Sequence, residues 1–152
     1  MSVDLVLRPA GVADIPALAH MNRQLIVDEG ARNPMTLEEL EARFAYLLFE
    51  QWTVDLFERD GETVGYALHR YEPNITEPSG REIHLRHFFI VREWRGRGLG
   101  RAAFQRLLAT RYRPGDGLFL DVLRTNPGGR AFWRGLGLVP YAETMELRVR
   151  GG

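Results

Sequence analysis

Apolar positions recur along this chain first every second residue and then every third or fourth. Val3-Asp4-Leu5-Val6-Leu7 alternates and predicts a strand that ends at Pro9. Asp14 precedes Leu18, Met21, Leu25 and Ile26, one stripe of a helix that Asp14 is placed to cap. A polar segment rich in breakers, Asp28 to Pro34, leads to Thr36-Leu37-Glu38-Glu39. That capping box opens a second helix carrying Leu37, Leu40, Phe44, Leu47 and Leu48. Strands from Trp52 to Phe57 and from Thr63 to Tyr71 flank Asp60-Gly61, a strong hairpin signal, so the two are expected to pair antiparallel. A turn-rich connection, Glu72 to Gly80, then feeds a strand from Arg81 to Val91. Leu99, Ala103, Phe104, Leu107 and Leu108 have helical spacing, and Pro114-Gly115-Asp116-Gly117 ends that helix. Leu118 to Leu123 reads as a strand, Gly128 to Gly135 as a short helix, and Met145 to Val149 as a closing strand. No repeat, linker or low-complexity tract interrupts the pattern.

The chemistry concentrates where the strand ending at Ile90 meets the helix starting near Leu99. Between them lies Arg95-Gly96-Arg97-Gly98-Leu99-Gly100, followed by Arg101. Glycines let backbone N–H groups crowd together, and a helix start leaves its first amides unpaired with the positive end of its dipole exposed. Such a turn suits a phosphate. Arg92, Arg95, Arg97 and Arg101 face a single acid in this stretch, Glu93, although the whole chain has zero net charge. A P-loop would need a lysine after its last glycine, and all 20 basic residues are arginine. A dinucleotide fingerprint would need glycine at position 101; with Asp121 downstream it stays the runner-up.

Arg-x-x-Gly-x-Gly between a strand and a helix resembles the acyl-CoA pyrophosphate loop of the GNAT superfamily of N-acetyltransferases. Arg8-Pro9-Ala10 with Asp14-Ile15-Pro16 looks like that family's first strand and helix start, and Leu120, Val122 and Asn126 like its fifth strand and cofactor-facing asparagine. Gly137-Leu138 looks like its closing Gly-Phe. The four features occur in the family's order. The resemblance implies a single domain over residues 1–152 and an α/β (α+β) fold. Its sheet would be mixed, mostly antiparallel and six- to seven-stranded, with about four helices on both faces. Strands 4 and 5, Arg81 to Ile90 and Leu118 to Val122, would run parallel and splay at the cofactor site.

Composition narrows the classes further. At 152 residues and 45% hydrophobic content the chain can bury one ordinary core. It holds no apolar run of the roughly 20 residues a membrane span needs, and Met1-Ser2-Val3-Asp4 lacks the features of a signal peptide. A cytoplasmic protein is expected. Without cysteine there is no thiolate nucleophile, and without lysine no Schiff base. The expected partners are an amine acceptor, no nucleic acid, no membrane and, as one option, a second copy of the chain.

What the resemblance implies for the site runs residue by residue. Acetyl-CoA would be the co-substrate, with no metal. Its pyrophosphate would lie on Arg95, Gly96, Arg97, Gly98, Leu99, Gly100 and Arg101, and its pantetheine arm along the backbone near Phe88 and Ile90. The backbone N–H of Phe88 maps onto the oxyanion donor. His84, eleven residues before the motif, maps onto the position where some members carry a glutamate base, and an imidazole with an ordinary pKa of about 6.5 suits that task. Glu82 and Arg86 share its strand parity, so all three would face the cleft if no bulge intervenes, whereas His87 would point the other way, with the splay near the strand's end weakening parity there. Seven residues beyond Asn126 the family usually carries a tyrosine that protonates the leaving thiolate, and here it is Trp133, which is no acid near neutral pH. Asp28, Glu29 and Arg32 border the expected acceptor cleft. Two functions follow: acetyl transfer to a primary amine of a small molecule or peptide, or an acyl-CoA-binding sensor or interaction module that has lost catalysis.

Overall fold

A computed structural model describes residues 4–151; Val3, part of the first predicted strand, and Met1, Ser2 and Gly152 lie outside that range. Five strands form one sheet in the order β1 (Val6–Pro9), β2 (Thr53–Arg59), β3 (Glu62–Pro73), β4 (Arg81–Ile90) and β5 (Gly117–Phe119). The first four are antiparallel to their neighbours, and β4 and β5 run parallel. Helices α1 (Ile15–Glu29) and α2 (Leu37–Phe49) follow β1, α3 (Leu99–Thr110) joins β4 to β5, and α4 (Pro127–Gly135) follows β5.

Each face of the sheet carries its own core, as the alternation of apolar positions requires. Leu18 and Leu25 of α1 and Phe44 and Leu47 of α2 pack on Val54, Leu56, Tyr66, Leu68 and Phe89. On the opposite face, Leu99, Ala103, Phe104 and Leu107 of α3 pack on Phe57, Val64, Ala67, Ile83, Leu85 and Ile90, with Trp133 of α4 alongside. The Thr36–Glu39 capping box forms reciprocally, at 3.1 and 3.0 Å. In the hairpin, Asp60 and Gly61 both take the left-handed conformation, with φ of 51° and 78°.

Four expectations need correction. Asp14 makes no side-chain cap to α1. It accepts instead from Arg8 at 3.0 and 3.2 Å and from the Gly11 N–H at 2.8 Å, because a short 3-10 turn over Val12–Asp14 precedes the helix and draws the carboxylate back toward β1. The sheet has five strands among the described residues, not six or seven. β5 ends at Phe119 instead of Leu123, since its pairing with β4 covers only Glu82–His84. Met145 to Val149 is no strand: the segment pairs with no other strand, and Met145, Leu147 and Val149 are 89, 87 and 86% exposed.

β4 also carries a bulge. Leu68 opposes His87 while His69 opposes Leu85, so Arg86 has no partner on β3. One inserted residue reverses the alternation. His87 therefore shares the face of His84 instead of opposing it, contacting Phe44 and Tyr66 on the α1/α2 side.

Where β2 and β3 meet α3, Asp55 and His69 are fully buried and 2.8 Å apart. Arg111 donates to Asp55 at 2.9 Å, and the Tyr112 hydroxyl bonds His69 Nδ1 at 3.1 Å. Burial opposes the Asp55 charge, yet His69 and Arg111 outweigh it and hold the carboxyl below its ordinary range. Asp55→Ala leaves the buried His69 nitrogen and the partly exposed Arg111 guanidinium without their acceptor, so urea unfolding should show a loss of about 3 kcal/mol. Breaking the solvent-exposed Arg8–Asp14 pair should cost far less, because water screens it. Equal losses at the two sites would contradict this reading.

Candidate active site

The site exists because β4 and β5 part company. Beyond the His84–Phe119 pair the two strands separate, and residues 120–126 run on without a ladder. The edge of β4 from Leu85 to Ile90 is left facing a cleft of about 730 Å³. Val91 N–H donates to Val64 O on β3, so by strict alternation the backbone groups of Phe89 face β3 while those of Phe88 and Ile90 face the cleft. Ile90 O is taken by Arg95 Nε at 2.7 Å, which fits that direction. The Phe88 N–H is thus presented to the opening.

One end of the cleft is closed by the glycine turn. Gly96 and Gly98 adopt φ of 75° and 78°, and Gly98 is the residue from which α3 starts. The first i→i−4 bond of that helix is Ala102 N–H to Gly98 O, so the amides of Leu99, Gly100 and Arg101 have no partner within it. Nothing lies within 4 Å of a Cβ built on Gly98. Unpaired amides, open space and a helix dipole make an anion seat. Arg95, Gly96, Gly98, Leu99, Gly100 and Arg101 all line the cleft, whereas Arg97 lies outside it, over the Trp94 ring at 5.0 Å.

Asp28 lines the cleft, and its carboxylate is also engaged in bracing the loop. It accepts from Arg92 and Arg95 at 2.6 Å each, tying the end of α1 to the phosphate turn. Burial works against its charge, but the two arginines prevail and hold its carboxyl below the usual range. Glu29, next in sequence, lines the same cleft with no hydrogen bond to its carboxylate among the described residues, and burial together with the Asp28 charge pushes its pKa up. Thr125 Oγ1 donates to Glu29 O at 2.5 Å and fastens the far wall to α1. Arg32 lies away from the cleft, ion-paired with Glu146.

The remaining expected residues divide between lining and packing. Asn126 lines the cleft, and its Oδ1 accepts from Gly129 N–H at 3.0 Å, capping α4. Trp133 lines it too, packed edge-on against Phe88 at 5.1 Å and Phe104 at 5.2 Å between ring centroids. His84 stands outside the lining, stacked on Phe119 at 4.5 Å and edge-on to Trp52 at 5.3 Å. Burial lowers its pKa, with Asp121 pulling upward and Arg86 adding to the fall.

Behind the bulge runs a set of polar groups that the sequence pattern did not single out. Arg43 of α2 donates to Asn22 Oδ1 of α1 at 2.6 Å, and the Tyr66 hydroxyl of β3 bonds His87 Nδ1 at 3.1 Å. Burial, with Arg43, Arg86 and His84 nearby, pushes His87 down to about 3, so it is neutral at physiological pH and accepts at Nδ1 from the tyrosine hydroxyl. Only the bulge brings His87 into this group, and alternation alone carries no signal of a bulge.

The depressed pKa fixes the sign of a pH effect. In the unfolded chain His87 takes a proton at about pH 6.5, and in the folded chain only near 3, so its contribution to stability is present above 6.5 and lost on acidification through that window. Between pH 6.5 and 4.5 unfolding free energy should fall by up to about 1.4 kcal/mol per pH unit from this group, with His84 adding in the same sense. His87→Gln should flatten the profile measured by urea unfolding. An unchanged slope would show that His87 is not held neutral.

Comparison with known proteins agrees with this geometry. The chain matches the acetyltransferase (GNAT) family over residues 23–138. No curated protein matches it. Among solved structures, a possible acetyltransferase of Clostridium difficile 630 superposes with a TM-score of 0.78 at 18% identity, covering 97% of this chain and 99% of that one. A predicted acetyltransferase of Clostridium acetobutylicum, solved with acetyl-CoA, gives 0.72 at 20%, covering 95% and 96%. An acetyltransferase of Thermus thermophilus gives 0.70 at 27%, covering 90% and 88%. The structural likenesses speak for the fold, and the match over most of the sequence speaks for descent: this chain belongs to the GNAT acetyltransferase family.

Proposed function

We propose that the chain transfers an acetyl group from acetyl-CoA to a primary amine of a small molecule or peptide by direct attack on the thioester. The observation that carries this reading is the splay of β4 from residues 120–126, with an anion seat at one end and an unpaired Phe88 N–H within. The pyrophosphate would rest on the amides of Leu99, Gly100 and Arg101, with Arg101 beside it. The thioester would lie along the Phe88–Ile90 edge, where the Phe88 N–H meets the oxyanion that forms as the amine adds to the carbonyl carbon. The C–S bond then breaks, the nitrogen loses a proton, and the sulfur leaves as thiolate or thiol. With a thiol pKa of about 8.5 the thiolate is a fair leaving group, so Trp133 need not act as an acid.

Two groups compete for the acceptor's proton. His84 has the ordinary chemistry of a base, but it lies beyond the cleft lining behind Trp52 and Phe119. Glu29 lines the cleft, and its raised pKa strengthens it as a base. It is the better placed of the two. The absence of a tyrosine at position 133 favours a second reading, an acyl-CoA-binding module without turnover. A cytoplasmic setting and function as a single domain complete the proposal.

Release of free CoA from acetyl-CoA in the presence of an amine panel decides between turnover and binding alone. With an active acceptor, kcat/KM should rise with pH through a pKa above the ordinary carboxylate range. That limb should vanish in Glu29→Gln with a rate loss of about 10²–10⁴. If it vanishes in His84→Ala instead, the base is His84. For the cofactor seat, Gly98→Glu places a carboxylate where the phosphates would lie, and calorimetry should find acetyl-CoA binding lost with a native-like circular dichroism spectrum. Unchanged affinity would move the cofactor elsewhere.

A further inference from the structure

We infer that the acceptor carries a carboxylate beside its amine, as an α-amino acid does; this rests on the acetyl-transfer reading above. Two arginines on the α1/α2 side of the sheet lack a counter-charge. Arg86, pushed out at the bulge, lines the cleft with its guanidinium 5.4 Å from the Trp52 ring centroid, and it forms no ion pair among the described residues. Arg43 is half-buried, forms no ion pair there either, and its Nε is buried with no hydrogen-bond partner. Burial and the charge of Arg86 both disfavour its cationic form. Asp28, Glu29 and Asp121 line the same cleft, but none of them forms an ion pair with either arginine: Asp28 is held by Arg92 and Arg95, and Asp121, with Glu72 and Glu82, acts on His84.

A half-buried guanidinium facing a second cation is costly unless an anion arrives, and a planar carboxylate matches its fork. Glu29 supplies the opposite sign in the same cleft. An acceptor with an ammonium at Glu29 and a carboxylate at Arg86 would neutralise both ends, and the carboxylate would offset the repulsion between Arg86 and Arg43 behind it. The test uses pairs of acceptors that differ only in the carboxylate, L-leucine against isopentylamine and L-phenylalanine against phenethylamine. Binding is measured by calorimetry to the CoA complex, and turnover by CoA release. The acids should bind and react at least tenfold better than the amines. Arg86→Gln should cost the acids about 10- to 100-fold and leave the amines alone. Equal use of acid and amine, no binding of either acid, or an equal loss for both in Arg86→Gln, would overturn the inference. Binding of the acids without any turnover would instead overturn acetyl transfer and leave the carboxylate site standing.

Discussion

Everything at the candidate site depends on one interruption of hydrogen bonding. β4 is paired on both edges at Glu82, Ile83 and His84, and on one edge only beyond. An unpaired strand edge buried in a protein carries amides that seek partners. Here those amides face a cleft instead of a neighbour, so a ligand can complete the sheet. The parallel crossover through α3 makes the arrangement possible, because it brings residues 117–119 alongside the start of β4 while the glycine turn stays at its far end. Donor amides in the middle and an anion seat at the end are thus set a fixed distance apart by one strand and one turn.

The arginines divide their labour within that frame. Four lie around the glycine turn, yet Arg92 and Arg95 are committed to Asp28, and Arg95 also to Ile90 O. They brace the turn against α1. The unpaired backbone amides at the start of α3 remain free to meet an anion, and of these four Arg101 is the one that lines the cleft without pairing with Asp28. Local positive charge in the sequence is thus partly structural. The same holds for Asp28, which lines the cleft while its charge braces the loop.

Much of this was legible in the residues. The strand, glycine turn and helix stood out because glycine conformation and helix dipoles are local properties, and the parallel pairing of β4 with β5 follows from the helix between them. Capping by Thr36 and the Asp60-Gly61 hairpin are local too. What could not be read depends on tertiary registration. The bulge at Arg86 inserts one residue with no local signature, and it alone turns His87 toward Tyr66 and Arg43. The shortness of β5 reflects divergence from β4, and Met145 to Val149 keeps its strand pattern although it joins no ladder. Placement of His84 between Trp52 and Phe119, outside the cleft, needed the fold.

On the reading proposed above, the unpaired amide of Phe88 receives the thioester and the start of α3 the phosphates, and backbone amide NMR on ¹⁵N-labelled protein reports on both at once. Acetyl-CoA should move the resonances of Leu99, Gly100 and Arg101, and it should move Phe88 further than CoA without the acetyl group does. If acetyl-CoA leaves Phe88 and the α3 amides unmoved while shifting residues elsewhere, the cleft between β4 and residues 120–126 is not where this chain holds its acyl donor.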